Sequence, residues 1–252
     1  MNNFNYIFEL SQLNESKTFF EKYGFFIIKN ILSSEEIVTS DNLFWKDLIN
    51  LNPNIKRKDR STWSNKTFPG EFSTGIVGYY GLCQSDFAWN IRTNTNIQSI
   101  FSHLHETTNN NLCCSMDCLN IMFSKKNKKK SWLHRDQVPW LENGNTLSIQ
   151  GCYNRYSVGE EDSGFICVPE THKKTIQYVD NCRQHYLPLV ENDPLHQESI
   201  KLITPENSIL IWDSKLIHAN KVGKRDRPND INNLPQLNRL CAYVSYSPKH
   251  LR

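Results

Sequence analysis

The sequence predicts a mainly β fold with flanking helices, arranged as a closed β-sandwich or jelly roll. From about residue 112 onward, apolar residues fall into short runs that are separated by turn residues. Eight of these runs are candidate strands, over residues 119–123, 131–136, 146–153, 164–168, 200–204, 208–212, 215–218 and 239–246. Eight short strands at this spacing are typical of a closed all-β architecture.

The chain is predicted to form one domain over residues 1–252, because its length allows a sizeable core and no repeat or linker divides it. Residues 1–111 are expected to be mostly helical and loop-rich and to pack on a β core formed by residues 112–248. The N-terminal elements are a helix that ends at Gly24, a strand over 24–29, a helix from Ser33 to Asn52 with a Ser33–Glu36 capping box, and a helix over 97–107. Within the β core, the sequence predicts a helix over 173–182 and a polar surface insertion over 222–237.

Composition and charge exclude several classes of protein. A net charge of +3 is too small for a dedicated nucleic-acid binder. No apolar run approaches the roughly 18 to 20 residues needed to span a bilayer, and the first residues lack a secretory signal pattern. The eight cysteines suit a reduced protein with buried thiols better than a disulfide framework. We therefore expect a cytoplasmic protein without a membrane partner, located in the host cytoplasm if the gene is viral.

Three residues in two separate segments have the side chains of a metal site. His134 and Asp136 are two residues apart in a candidate strand, so their side chains point to the same face. His218, at the end of a later candidate strand, offers a third ligand. Two histidines and one carboxylate on one face of an octahedron leave three open positions, the arrangement of non-haem Fe(II) oxygenases. These three are the candidate metal ligands and catalytic residues.

Arg239 opens an otherwise apolar candidate strand. If its side chain points inward it needs a partner, because a buried unpaired charge is costly. The planar guanidinium suits bidentate pairing with a carboxylate. An arginine exposed at the end of the strand is the alternative that these residues leave open.

Together the motifs resemble the phytanoyl-CoA dioxygenase (PhyH-like) family of Fe(II)/2-oxoglutarate-dependent oxygenases. The segment His134-Arg135-Asp136-Gln137 is similar to the H-x-D segment of the family. Residues 161–172, ending Pro-Glu-Thr-His, resemble its strand that ends in proline, a small residue and histidine, and residues 207–218 resemble its distal-histidine strand. The resemblance covers about residues 75–248, and it implies a double-stranded β-helix of the cupin-like, jelly-roll type.

The resemblance also implies Fe(II) as the metal, 2-oxoglutarate as co-substrate and O2 as oxidant. Arg239 takes the position of the arginine that holds the distal carboxylate of 2-oxoglutarate. Arg225 and Arg227 are rivals for this role, because they lie closer to His218 in a loop that is longer than usual for the family. We prefer Arg239 because an apolar strand follows it.

Further site residues follow from the same resemblance. Asn220 is expected near the co-substrate carboxylate, and Tyr153 is expected against the iron or 2-oxoglutarate. Gln150, on the same predicted strand, is a weaker candidate than Tyr153. Trp89 and Arg92, in a segment that resembles some family members, are candidate substrate contacts.

The predicted function is therefore a dioxygenase that hydroxylates an unidentified substrate and releases succinate and CO2. The alternative is a non-catalytic or 2-oxoglutarate-independent cupin-type metal-binding protein. A small-molecule substrate or an acyl or anionic substrate is expected; a protein or nucleic-acid substrate and the oligomeric state stay open. The lysine-rich run from Lys125 to Lys130 is either a solvated hairpin loop or a basic rim that attracts an anionic substrate.

Overall fold

The computed structural model describes residues 4–69, 74–78, 81–123, 132–137, 146–174, 186–224 and 226–251. The helices in these ranges are α1 (Leu13–Tyr23), α2 (Ser34–Leu51), α3 (Asp86–Arg92), α4 (Thr95–Leu104) and α5 (Leu195–Glu198). The strands are β1 (Ile7–Phe8), β2 (Phe25–Lys29), β3 (Ile76–Val77), β4 (Leu112–Cys114), β5 (Leu119–Met122), β6 (His134–Arg135), β7 (Ile149–Asn154), β8 (Gly164–Val168), β9 (Leu187–Pro188), β10 (Ile200–Lys201), β11 (Ser208–Asp213), β12 (Ile217–Lys221) and β13 (Arg239–Pro248). The predicted mainly β fold with flanking helices is confirmed.

The described strands form two sheets. The larger has the order β1-β2-β11-β7-β13-β5-β3, with β4 beside β13, and the smaller has the order β10-β8-β12-β6-β9. All pairings are antiparallel except that of β1 with β2. The N-terminal strand β2 pairs with β11, so the N-terminal part contributes a strand to the larger sheet in addition to its helices.

The larger sheet is buried on both faces, and alternate residues of each strand belong to different cores. On β11, Ile209 and Ile211 pack in a cluster with side chains of α2, α3 and α4. Leu210 and Trp212 pack in a second cluster that also contains Phe165 of the smaller sheet. The second cluster therefore lies between the sheets, which is the side on which the candidate site is found.

The predicted N-terminal helices are present, with small shifts in their ends. The capping box of α2 forms as expected, since Glu36 N donates to Ser33 Oγ at 3.2 Å and Ser33 N donates to Glu36 Oε2 at 2.7 Å. The helix predicted over 97–107 is observed as α4, which begins two residues earlier at Thr95 and ends at Leu104. Within the described ranges, no helix combines the length and the apolar character that crossing a membrane requires.

Several predicted elements of the β core differ from the structure. The strand predicted over 131–136 is reduced to β6, and residue 131 lies outside the described residues. The strand predicted over 215–218 starts at Ile217, because the preceding residues form a turn in which Leu216 N donates to Asp213 O at 2.8 Å. A 3-10 turn spans Thr171–Lys173, and the remainder of the predicted helix from residue 175 lies outside the described residues. In the described part of the 222–237 insertion, Ile231 is fully exposed but Leu237 is buried.

Gly24 joins α1 to β2 in a conformation that favours glycine. Its φ of 86° lies in the left-handed region, and its N–H donates to Phe20 O at 2.8 Å. A Cβ at this position would lie 2.6 Å from His172 Nδ1 and 2.9 Å from Leu216 Cδ1. Gly24→Ala is therefore expected to lower the free energy of unfolding by about 2–5 kcal/mol, from the left-handed backbone and from overpacking.

Gly81 provides a matched control for this prediction. Its φ of 73° is similar, but among the described residues no atom lies within 4 Å of a Cβ built there. Gly81→Ala should therefore lose only the backbone contribution, about 1–2 kcal/mol. Urea unfolding of both variants measures the difference, and equal losses would contradict the packing argument.

Candidate metal centre

The three candidate ligands come together between β6 and β12. His134 on β6 and His218 on β12 are directly paired in the antiparallel register. Asp136 lies two residues beyond His134, and its backbone N–H donates to Ser214 O at 3.1 Å. Asp136 Oδ1 is 3.1 Å from His134 Nε2 and Oδ2 is 3.4 Å from His218 Nε2. One ligand atom from each of the three residues can be chosen so that all lie within 4.8 Å of one another.

Backbone carbonyls orient both imidazoles. His134 Nδ1 lies 2.9 Å from Trp132 O, and His218 Nδ1 lies 3.0 Å from Leu216 O. A carbonyl oxygen accepts only, so the proton of each neutral ring belongs on Nδ1. Each Nε2 then presents a lone pair toward Asp136, which is the tautomer and orientation that a metal-binding histidine requires.

The surroundings favour a neutral histidine beside a charged carboxylate. Burial lowers the pKa of His218 to about 4, against the opposing effect of Asp136. Burial by itself raises the pKa of Asp136, but the neighbouring His218 and His134 and a hydrogen bond from Gln150 outweigh it and hold the pKa well below its usual range. At neutral pH the site therefore offers nitrogen and carboxylate oxygen donors, which fit a first-row divalent metal such as Fe(II).

Aromatic rings pack around the two histidines. Trp132 stacks on His134 with ring centroids 4.5 Å apart, and Phe165 stacks on His218 at 5.1 Å. Tyr186 meets the His134 ring edge-on at 5.1 Å. The described wall of the cavity, whose volume is about 290 Å³, includes these rings and all three candidate ligands.

Arg239 is buried behind this cavity, with a relative exposure of 2%. Its Nη1 donates to Asn220 Oδ1 at 2.6 Å, and its Nε donates to Cys241 Sγ at 3.1 Å. Asn220 in turn donates from Nδ2 to the Tyr243 hydroxyl at 2.8 Å, and both Asn220 and Tyr243 line the cavity. Within the described part of the chain, no carboxylate lies in ion-pair range of Arg239. The guanidinium is thus a buried cation that donates to an amide oxygen and to the sulfur of Cys241. Against the opposing effect of burial, hydrogen bonds and charge from Cys152 and Arg239 lower the pKa of the Cys241 thiol to about 7.

The expectation for Tyr153 needs correction. Tyr153 is buried in the cluster with the helices, on the opposite side of the sheet from the cavity, and its hydroxyl donates to Asn207 Oδ1 at 3.4 Å. Gln150 lies on the cavity side of β7 and lines the cavity, and its side chain helps to lower the pKa of Asp136. Gln150, the weaker candidate from the sequence, therefore lies at the candidate metal centre, and Tyr153 does not. The odd separation of residues 150 and 153 along a strand places them on opposite faces.

Trp89 and Arg92 are also placed differently from the expectation. Trp89 is 37% exposed and donates from Nε1 to Gln84 Oε1 at 3.1 Å, and neither residue belongs to the described cavity wall. Arg92 is fully buried, and its guanidinium donates to the backbone carbonyls of Cys83 and Asp117, both at 2.5 Å. Arg92 therefore stabilises the backbone at Cys83 and Asp117, and a substrate could contact its guanidinium only by displacing those hydrogen bonds.

The rivals of Arg239 are only partly described. Arg227 donates from Nη2 to Ser157 O, and its guanidinium lies 3.9 Å from Asp162 and over the ring of Tyr156 at 5.2 Å. These contacts hold Arg227 in the insertion rather than at the cavity. Arg225 and the run from Lys125 to Lys130 lie outside the described residues.

No protein-family model matches the chain. Among curated proteins, the chain is 27% identical over 222 residues to "Ava biosynthesis cluster protein O" of Aspergillus versicolor, covering 79% of this chain and 69% of that protein. It is 24% identical over 254 residues to a protein of Dictyostelium discoideum named "Putative phytanoyl-CoA dioxygenase", covering 83% and 71% of the two chains.

Among solved structures, the epimerase SnoN, in complex with Fe3+, alpha-ketoglutarate and nogalamycin RO, superimposes with a TM-score of 0.62. The superposition covers 94% of this chain and 84% of SnoN at 12% sequence identity, so it bears on the fold. It confirms the double-stranded β-helix. The curated relatives confirm the resemblance to phytanoyl-CoA dioxygenase-like proteins that was read from the motifs.

Proposed function

We propose that the protein is an Fe(II)- and 2-oxoglutarate-dependent dioxygenase that acts on a small molecule. One observation supports this most directly: the His134–Asp136–His218 triad lines a cavity whose wall also contains Asn220, and Asn220 bonds the buried Arg239, which has no carboxylate partner among the described residues. A metal site alone would leave Arg239 unexplained. A dianionic metal-chelating co-substrate accounts for both.

The triad is proposed to hold the metal through His134 Nε2, His218 Nε2 and a carboxylate oxygen of Asp136. Bound there, Fe(II) supplies O2-dependent oxidation of a substrate C–H bond, coupled to conversion of 2-oxoglutarate to succinate and CO2. The chain itself keeps both imidazoles in the required tautomer through Trp132 O and Leu216 O. The rings of Trp132 and Phe165 limit access of water to the ligands.

Arg239 is proposed to pair with the distal carboxylate of 2-oxoglutarate. A planar guanidinium can donate two parallel hydrogen bonds to a carboxylate, and pairing in a buried setting is stronger than in water. Asn220 accepts from Arg239 and donates to Tyr243, so it orients the guanidinium at the edge of the cavity. Asn220 is thus proposed as a positioning residue that also lines the cavity.

Hydroxylation is the outcome that we propose for the substrate, although SnoN is an epimerase. In the proposed enzyme, hydroxylation and epimerisation would both be coupled to conversion of 2-oxoglutarate to succinate. Formation of succinate therefore tests the step that the two reactions share. Purified protein should be loaded anaerobically with Fe(II), supplied with 2-oxoglutarate and exposed to O2, and succinate and CO2 measured together. We expect equimolar products that a chelator abolishes, with a faster rate when a metabolite fraction supplies the substrate.

The same experiment separates the alternative functions. The protein would be a 2-oxoglutarate-independent or non-catalytic cupin-type protein if it binds the metal specifically but consumes no 2-oxoglutarate, with or without added metabolites. Mass analysis of the metabolite that stimulates turnover then distinguishes hydroxylation, a gain of one oxygen, from epimerisation, which leaves the mass unchanged.

A further inference from the structure

Asp117 is a carboxylate in the cavity wall that the proposed metal site does not use. It lines the same cavity as the triad, and among the described lining residues Asp136 is the other carboxylate. That described wall contains no lysine or arginine. Burial, together with Cys83 and Asp117, raises the pKa of the neighbouring Cys118 thiol to about 11, so this thiol is neutral at pH 7. Asp117 therefore supplies a carboxylate in the part of the described wall away from the metal ligands, while the nearby cation Arg92 is buried and is not among the described lining residues.

Hydrogen bonds to its side chain, its carbonyl and its flanking residues fix the position of Asp117. Ser115 Oγ donates to Asp117 Oδ2 at 2.5 Å, and the buried guanidinium of Arg92 donates to Asp117 O at 2.5 Å. The flanking backbone is tied to β13, through Ser115 N to Ser245 O at 2.9 Å and through Tyr243 N to Cys118 O at 3.1 Å. The carboxylate is thus preorganised, which reduces the entropy lost when it pairs with a ligand.

The rest of the described wall is largely aromatic. Trp132, Phe165, Tyr186 and Trp212 all line the cavity. Aromatic faces attract organic cations, because the ring quadrupole is negative on its face, and they also pack against apolar groups. A carboxylate with aromatic rings in one cavity is an arrangement suited to an ammonium group attached to an apolar body.

We propose that the substrate is an organic cation, with a protonated amine that pairs with Asp117 and an apolar body that packs against Trp132 and Tyr186. This inference rests on the proposed function, because it names the substrate class of the same site. It is an alternative to the acyl or anionic substrate named among the expectations, for which the Lys125–Lys130 run would supply a basic rim. That run lies outside the described residues, whereas the carboxylates of Asp117 and Asp136 lie in the described wall.

Three probes with the same aryl body test the charge preference: 3-phenylpropan-1-amine, 3-phenylpropan-1-ol and 3-phenylpropanoate. Binding should be measured by titration calorimetry on the full chain loaded anaerobically with Mn(II) and 2-oxoglutarate, so that Arg239 is occupied. The amine and alcohol should also be compared in metal-free protein. We expect the amine to bind at least about tenfold more tightly than the alcohol, and the carboxylate to bind most weakly.

Asp117→Asn should remove this preference, and Asp117→Glu should retain part of it. Glu15→Gln, which removes one negative charge at the start of α1, is the control for net charge and should leave the preference unchanged. If Asp117→Asn fails to fold, the comparison of amine with alcohol in the natural chain still decides. Equal binding of amine and alcohol, tighter binding of the carboxylate, or an unchanged preference in folded Asp117→Asn would overturn the inference.

The binding comparison tests the substrate class, and the succinate assay tests the proposed dioxygenase function. An amine preference in metal-free protein without succinate formation would support the binding class and reject the dioxygenase. Succinate formation without an amine preference would reject the organic cation alone.

Discussion

His218→Ala is expected to weaken metal binding by more than about 100-fold and to abolish nearly all formation of succinate. Loss of an outer partner of a ligating histidine typically costs 10- to 100-fold in metal affinity, so loss of the ligand itself should cost more. His218 is 6% exposed, and its imidazole lies between Phe165 and the Asp136 carboxylate. Neither neighbour supplies a substitute nitrogen. Anaerobic titration with Fe(II) or Mn(II), followed by the succinate assay, measures both effects.

His196→Ala is a suitable control for this substitution. His196 also has one ring nitrogen near a backbone carbonyl, with Nε2 at 3.0 Å from Val190 O, but it is absent from the metal-ligand cluster in the described residues. Its replacement should leave both metal affinity and succinate formation close to those of the natural chain. A His218→Ala variant that folds and titrates with metal like the natural chain would rule out His218 as a ligand.

Arg239→Ala is expected to raise the apparent KM for 2-oxoglutarate by about 30-fold or more while metal affinity changes little. Loss of one partner of a buried charge pair costs roughly 2–5 kcal/mol in binding, and each 1.4 kcal/mol is tenfold. The buried guanidinium contacts Asn220 and Cys241, and none of its described contacts is a carboxylate. The variant is expected to fold, because the desolvation cost of the buried cation is removed together with its hydrogen bonds to Asn220 and Cys241. Steady-state kinetics and metal titration measure the two effects separately.

Two further substitutions distinguish the role of Arg239 from a general effect of charge. Arg239→Lys keeps the charge but loses the planar fork, so its KM should lie between those of the natural chain and Arg239→Ala. Arg227→Ala should have little effect, because Arg227 is held by Ser157 O and Asp162 in the insertion. If Arg227→Ala or Arg225→Ala lost 2-oxoglutarate while Arg239→Ala retained it, the co-substrate pocket would have to be placed at the insertion.

The candidate site could be predicted from sequence where its chemistry is local. His134 and Asp136 are two residues apart, and His218 follows a predicted strand and turn, so residue type and spacing together nominate all three. Arg239 could be nominated because a charge at the start of an apolar run is costly unless it has a partner. The structure adds the register that pairs His134 with His218, which are separated by 83 residues in the sequence, and no local pattern contains this register.

The choice between Tyr153 and Gln150 depended on tertiary structure for a definite reason. A strand with one buried face reveals its inner side by alternating polar and apolar residues. On β7 and β11 both faces are covered, by helices on one side and by the smaller sheet on the other, so nearly every residue is buried. Their sequences therefore show no alternation, and the cavity side cannot be identified from the residues.

The sequence by itself determined the mainly β fold, the double-stranded β-helix through its family motifs, and the residue types available for a metal site. Tertiary structure decided which strand faces meet the cavity and which charges have partners. Arg92 and Arg239 are both fully or nearly fully buried, yet Arg92 donates to backbone carbonyls and Arg239 donates to the side chains of Asn220 and Cys241 beside the cavity. The difference arises because a guanidinium is satisfied by acceptors that are distant in sequence, such as Asp117 O for Arg92, and only the packed chain brings those acceptors within hydrogen-bond distance.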